Sequence, residues 1–153
     1  MRWLTCLLSL GCSSLVFADG NLSDNIRFSS EALGYDLQYR VYEPEGARRN
    51  AALPTLYITD GQWYISRGEL PKLLDAEIAA GNIDPLLVVF VDSRNPDRLQ
   101  QNRRNQQFFC NPRYVDFFTE ELPPAIDKEY PTAGTRDERV ILGLSFGARN
   151  SAC

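Results

Sequence analysis

From Gly34 to Glu43 apolar and polar side chains alternate strictly, with Tyr35, Leu37, Tyr39 and Val41 on one face and Asp36, Gln38 and Arg40 on the other. That period of two predicts a half-exposed strand at an antiparallel sheet edge. Asn25 to Ser29 sets Ile26 and Phe28 in the same alternation and predicts a partner strand, joined to the first through a turn at Glu31 to Gly34. Pro44 to Asn50 reads as polar loop.

Beyond that loop the pattern changes. Leu53 to Thr59, Leu86 to Val91 and Arg139 to Leu144 are short continuous apolar runs, which predict parallel strands covered on both faces. Between the first two runs, Leu70, Leu73, Leu74 and Ile78 recur at helical spacing, with Pro71 in the first turn and Gly81 placed to end the helix. Between the second and third, Asn111 is a cap and Pro112 opens a helix on which Tyr114, Phe118, Leu122, Ile126 and Tyr130 recur every four residues. Pro123-Pro124 should kink or break it, because each proline removes an amide donor. Strand, helix, strand, helix, strand implies an α/β fold with a mostly parallel sheet, right-handed crossovers and an antiparallel N-terminal hairpin. Asp92 to Gln107 stands apart as a polar loop carrying Arg94, Arg98, Arg103 and Arg104. It follows a buried strand, at the sheet edge where such folds bind ligands.

A chain of 153 residues has room for one domain. Its net charge is −4 and no basic run exceeds a pair of residues, so nucleic acid is excluded as a partner. More restrictive is the absence of histidine, which removes every catalytic or metal constellation that needs an imidazole from the residues shown. Met1 to Ala18 reads as a secretory signal: Arg2 supplies the charge, Trp3 to Phe17 the apolar stretch and Val16-Phe17-Ala18 the small-residue cleavage site. That apolar stretch falls short of the ~20 residues a membrane span needs. The reading is a mature chain that starts at Asp19, is secreted or periplasmic, and has no membrane attachment after cleavage. Cleavage also removes Cys6 and Cys12, leaving Cys110 and Cys153, whose pairing the sequence leaves open.

Gly143-Leu144-Ser145-Phe146-Gly147 matches G-x-S-x-G between a buried strand and the start of a helix. In that context the motif is a nucleophile elbow, with the Ser145 hydroxyl raised above the sheet at a helix N-terminus. The same fold draws a second oxyanion donor from the loop after an earlier strand. Here that loop is Thr59-Asp60-Gly61-Gln62-Trp63, so the backbone amides of Phe146 and Gln62 are the candidate oxyanion hole. Asp60 and Asp92 end strands but precede the serine, whereas this fold orders its triad as serine, acid, histidine.

Read together, Leu56-Tyr57-Ile58-Thr59-Asp60-Gly61-Gln62, Ala80-Gly81-Asn82-Ile83, Val88-Val89-Phe90-Val91-Asp92, Glu121-Leu122-Pro123-Pro124 and the elbow resemble the esterases of the esterase D group. Within that group they are similar to the enterobactin (ferric enterochelin) esterases. Arg104-Asn105-Gln106-Gln107-Phe108-Phe109-Cys110-Asn111 is similar to the Arg-x-x-Glu-Leu-x-Cys-Asn stretch of those enzymes. The resemblance implies an α/β-hydrolase fold and serine-dependent cleavage of a small carboxylic ester, of siderophore type or another, without a cofactor or metal. It also implies that Arg104 and Gln107 bind substrate. Gln107 stands where those esterases carry Glu, and Ala148 replaces a second glycine after the elbow. In the family, the acid and histidine lie beyond the serine, so residues 19–153 are expected to be the N-terminal part of a longer α/β-hydrolase domain, inactive alone. A non-catalytic or inert hydrolase-fold protein and an acyltransferase of the same fold are the alternatives.

Overall fold

A computed structural model describes residues 19–47 and 52–153. The signal-peptide reading of Met1 to Ala18 lies outside the described residues. In chain order the elements are β1 (Asn21–Leu22), β2 (Ile26–Ser30), β3 (Tyr35–Glu43), β4 (Thr55–Thr59), α1 (Gly61–Ser66), α2 (Leu70–Ala79), β5 (Leu87–Asp92), β6 (Arg94–Asn95), β7 (Arg98–Asn102), α3 (Arg104–Gln107), α4 (Pro112–Asp116), α5 (Leu122–Glu129), β8 (Arg139–Leu142) and α6 (Phe146–Ser151). A π-helical turn, Phe117–Glu121, joins α4 to α5.

Six strands form one sheet in the order β1-β3-β5-β4-β8, with β2 also paired to β3. The β5-β4-β8 half is parallel, and β1, β2 and β5 all pair antiparallel with β3. β5 is the middle strand of that order, and all six of its residues are buried. Its alternating side chains feed two cores. Leu87, Val89 and Val91 pack with Phe108, Tyr114, Phe117, Phe118, Leu122 and Ile126, and Val88 and Phe90 pack with Tyr42, Ile58 and Leu74.

Two sequence expectations about strands need correction. β3 is not a half-exposed edge: it lies inside the sheet, and its polar face is largely covered. Gln38 is buried because β5 brings Asp92 beside it, and Gln38 Nε2 donates to Asp92 Oδ2 at 2.8 Å. β8, read as covered on both faces, is instead the sheet's outer strand among the described residues. Val140 and Leu142 are 58% and 40% exposed there, and Leu144 beyond them 73%.

The helices follow their local signals more closely. Pro71 sits in the first turn of α2, and Gly81, at φ 72°, follows its end. Asn111 caps α4 by accepting from the Arg113 N–H at 3.1 Å. Pro123-Pro124 does not break the following helix. The wide turn ahead of it carries the Leu122 N–H back five residues to the Phe117 carbonyl, and the prolines fall at the opening of α5, where missing donors cost little. The turn is anchored by Glu121, whose carboxylate accepts from the Ala32 N–H (2.8 Å) and the Ser30 hydroxyl (2.5 Å). The Asp92–Gln107 stretch, read as loop, contains the β6–β7 hairpin and α3, and Arg27 holds the hairpin through two bonds to Asp97 at 2.9 and 2.6 Å.

Candidate active site

The G-x-S-x-G segment forms a sharp strand-to-helix turn. β8 ends at Leu142, α6 starts at Phe146, and Ser145 between them has φ 58° and ψ −117°. A non-glycine residue at such angles costs about 1–3 kcal/mol and persists only where its surroundings fix it. Both glycines are fixed by close approach. A Cβ on Gly143 would lie 2.1 Å from the Gly147 carbonyl carbon, and one on Gly147 would lie 2.3 Å from Thr59 Oγ1. The turn therefore closes on itself and packs on the end of β4. Ser145 is left exposed, and the Phe146 N–H opens α6, where first-turn amides lack intrahelical acceptors.

The end of β4 supplies the opposite wall. Asp60, at φ 57°, turns the chain into α1, and a Cβ on Gly61 would come within 2.5 Å of the Phe90 backbone. Glycine is needed there for α1 to sit against β5. Gln62, the second residue of α1, has its backbone amide at the helix N-terminus, while its side chain turns from the cleft. Its amide nitrogen faces Asp92 Oδ1 at 3.2 Å and its oxygen faces Trp63 Nε1 at 3.1 Å.

Between the walls lies a cleft of about 430 Å³ lined by Asp60, Trp63, Tyr64, Arg67, Gly68, Arg104, Leu144 and Ser145. Asp60 is buried, accepts from the Ser93 hydroxyl at 2.7 Å and pairs with Arg104, Nε to Oδ2 at 2.8 Å. The Arg104 N–H is not aimed along that line, so the contact is a charge pair rather than a directed hydrogen bond. Burial, then the Asp60 charge, raises the Tyr64 phenol above its ordinary pKa. Arg67 stacks on Trp63 at 4.4 Å from the ring centre. The cleft is thus an aromatic trough with two guanidinium groups, open at the serine.

Of the residues singled out in the sequence, Ser145 and Arg104 share this cleft and Phe146 adjoins it, its ring 5.5 Å from the Arg104 guanidinium carbon. Gln107 does not line it. It is fully buried, with Nε2 3.4 Å from the Tyr35 hydroxyl and Oε1 without a partner among the described residues. Asp92 is likewise spent, on Gln38 and on three bonds from the Arg94 side chain. The sequence reading missed Trp63, Tyr64 and Arg67. Their signal was the four-residue spacing of Trp63 and Arg67, which stacks the C-cap guanidinium on the ring along one side of α1. The two cysteines pair: Cys110 and Cys153 form a disulfide with Cα atoms 5.5 Å apart.

A serine on a positive-φ turn between a parallel strand and a helix, beside a cleft at the strands' C-terminal ends, is the arrangement of the α/β-hydrolase class. The comparisons with known proteins agree. The family model described as Putative esterase matches residues 30–151, and the chain belongs to that family of α/β-hydrolase esterases. It is 28% identical over 122 residues to an iron(III) enterobactin esterase of Yersinia enterocolitica, covering 80% of this chain and 33% of that protein. Among solved structures, a ferulic acid esterase superposes with a TM-score of 0.72 at 25% identity, over 87% of this chain and 52% of that one. The Salmonella typhimurium ferric enterobactin esterase does so with a TM-score of 0.73 at 18% identity, over 89% and 32%. The chain spans about a third of the length of the Yersinia relative it matches.

Proposed function

We propose that the chain carries the nucleophile half of a serine carboxylic-ester hydrolase that works through an acyl-enzyme on Ser145. The observation that carries this reading is the conformation of Ser145, held at φ 58° by glycines with no room for a side chain and facing the cleft. In the reaction, Oγ adds to the ester carbonyl and its proton passes to a base. The oxyanion is held by the Phe146 amide and a second donor, for which Gln62 is the candidate. Collapse breaks the acyl–alkoxy bond, the alcohol leaves with the proton, and water then cleaves the serine ester. No residue of this chain can be an imidazole base. The 153 residues by themselves should therefore turn over esters at close to the background rate.

The aromatic lining of Trp63 and Tyr64 beside Arg67 and Arg104 fits an ester that carries an aromatic ring and acceptor oxygens for the two guanidinium groups. Gln107, buried away from the cleft, is assigned no contact with substrate. Export follows from the Met1–Ala18 reading and belongs to the same proposal. The test is a fluorophosphonate applied to an esterase-active preparation that contains this domain, followed by mass spectrometry. The adduct is expected on the peptide spanning Gly143 to Gly147, and Ser145→Ala should abolish both labelling and activity. Labelling of a different serine, or full activity in Ser145→Ala, would leave a non-catalytic role for this fold.

A further inference from the structure

α6 is six residues long and ends two residues before Cys153. Helices this short do not hold themselves in water. Nor is α6 well buried, since Gly147 and Asn150 are its buried residues and Asn150 Oδ1 has no partner among the described residues. Yet Ser145, at its N-cap, sits in a conformation that survives only when the surroundings over-determine it.

Beyond the two glycines, a second restraint on α6 comes from the cleft's Arg104 wall. Arg149 of α6 lies 4.7 Å from the centre of the Phe109 ring, Phe109 and Phe146 are 5.0 Å apart, and Arg104 lies 5.5 Å from Phe146 before reaching Asp60 at 2.8 Å. This ladder of guanidinium and aromatic groups runs along the surface from the disulfide to the floor of the cleft. Phe109, Cys110, Phe146 and Cys153 are all exposed, so water competes for each weak contact. Cys110 also has φ 51°, a left-handed backbone that a released cysteine has reason to leave. Across a sequence separation of 43, the disulfide is the covalent tie between wall and elbow.

We propose that the Cys110–Cys153 disulfide is a redox-sensitive positioning element of the cleft: closed, it holds the elbow helix against the Phe109–Cys110 end of the Arg104 wall, and opened, it releases that end and the helix from each other. A dithiol opens it by thiolate attack on one sulfur and closure of the mixed disulfide by its second thiol. Two electrons and two protons pass to Cys110 and Cys153, and the dithiol leaves as a cyclic disulfide. Phe108, fully buried, keeps α3 attached to the core, so the release is confined to the residues around Cys110 and to α6. The tie holds the elbow whether or not Ser145 is a nucleophile.

Hydrogen exchange read by mass spectrometry tests it on the 153-residue chain, compared oxidised, reduced by dithiothreitol and alkylated, and as Cys110→Ser. The amides of residues 109–111 and of 143–153 are expected to exchange at least tenfold faster in both opened forms, after normalisation to the β5 segment 87–92, and trypsin should then cut first after Arg149. A purely structural crosslink would raise exchange in step across β5 and the cleft segments, and that result overturns the proposal. Unchanged protection of both cleft segments overturns it equally. Reduction of the already folded chain keeps the test decisive if Cys110→Ser fails to fold.

Discussion

The Arg104 guanidinium and the Asp60 carboxylate close the floor of the cleft, Nε to Oδ2 at 2.8 Å, with side chains 27% and 7% exposed. Asp60 holds the end of β4 and Arg104 the start of α3, so the pair fastens the two walls to each other.

Removing one partner leaves a buried carboxylate with Ser93 as its remaining side-chain donor. Arg104→Ala should therefore cost about 1–3 kcal/mol in urea unfolding. Arg104→Lys should fall between it and the parent, because an ammonium restores the charge but not the planar contact with Phe146. An unchanged midpoint in Arg104→Ala would show that the pair contributes nothing to the cleft's stability.

Ser145 holds its positive φ at a cost that glycine does not bear. Ser145→Gly should stabilise the chain by up to about 1 kcal/mol, while Ser145→Ala, with the same backbone constraint, should not. Thermal melts of the two variants side by side check this. A Ser145→Gly protein no more stable than Ser145→Ala would mean that the turn carries no strain.

Two carboxylates set an acid limit on the hairpin. Hydrogen bonding from Arg27 holds Asp97 below its usual 3.8, and hydrogen bonds from Ser29, then Arg27, do the same for Asp36. Because both folded values lie below the unfolded one, their contribution is present above the unfolded pKa and is lost as pH falls through the folded values. Attachment of β6–β7 to β2 should accordingly weaken below about pH 4. NMR titration of the Asp97 carboxyl should show the depressed value, and Arg27→Ala should return it toward the unfolded one.

The outer strand β8 offers unpaired backbone and the exposed side chains of Val140 and Leu142. Strand edges of this kind pair with other chains. Light scattering should show concentration-dependent association of the 153-residue chain, reduced by Val140→Lys. A monomer at all concentrations would show that the edge is protected.

How far the sequence reached depended on whether a pattern was local. The alternation in β3 and the capping at Asn111-Pro112 are local, and the strand and helix starts they predict are observed. The place of β3 inside the sheet is not local, since Gln38 looks like a solvent-facing residue until β5 brings Asp92 to it. β7 was missed because Arg98-Leu99-Gln100-Gln101-Asn102 is exposed throughout and has no apolar period to detect. The Gly-x-Ser-x-Gly turn was legible because its glycines record steric contacts. Gln107 was misplaced because a resemblance between motifs cannot show that this amide faces Tyr35 in the core. The Cys110–Cys153 pairing needed coordinates, as no spacing rule fixes two cysteines 43 positions apart in the sequence.

The wide turn at Phe117–Glu121 gives the molecule a tolerance that its packing alone would deny. A π turn is an α-helix that has absorbed one additional residue, and here the aromatic cluster of Tyr114, Phe117 and Phe118 lies at it and before it, with Leu122 and Ile126 beyond. Shortening the segment by one residue would collapse the turn to ordinary α geometry and leave α5 in phase with the sheet. The same deletion within α5 itself would rotate Ile126 out of the core by about a hundred degrees. Length variation among related chains should therefore gather at this turn, where the backbone already holds the slack.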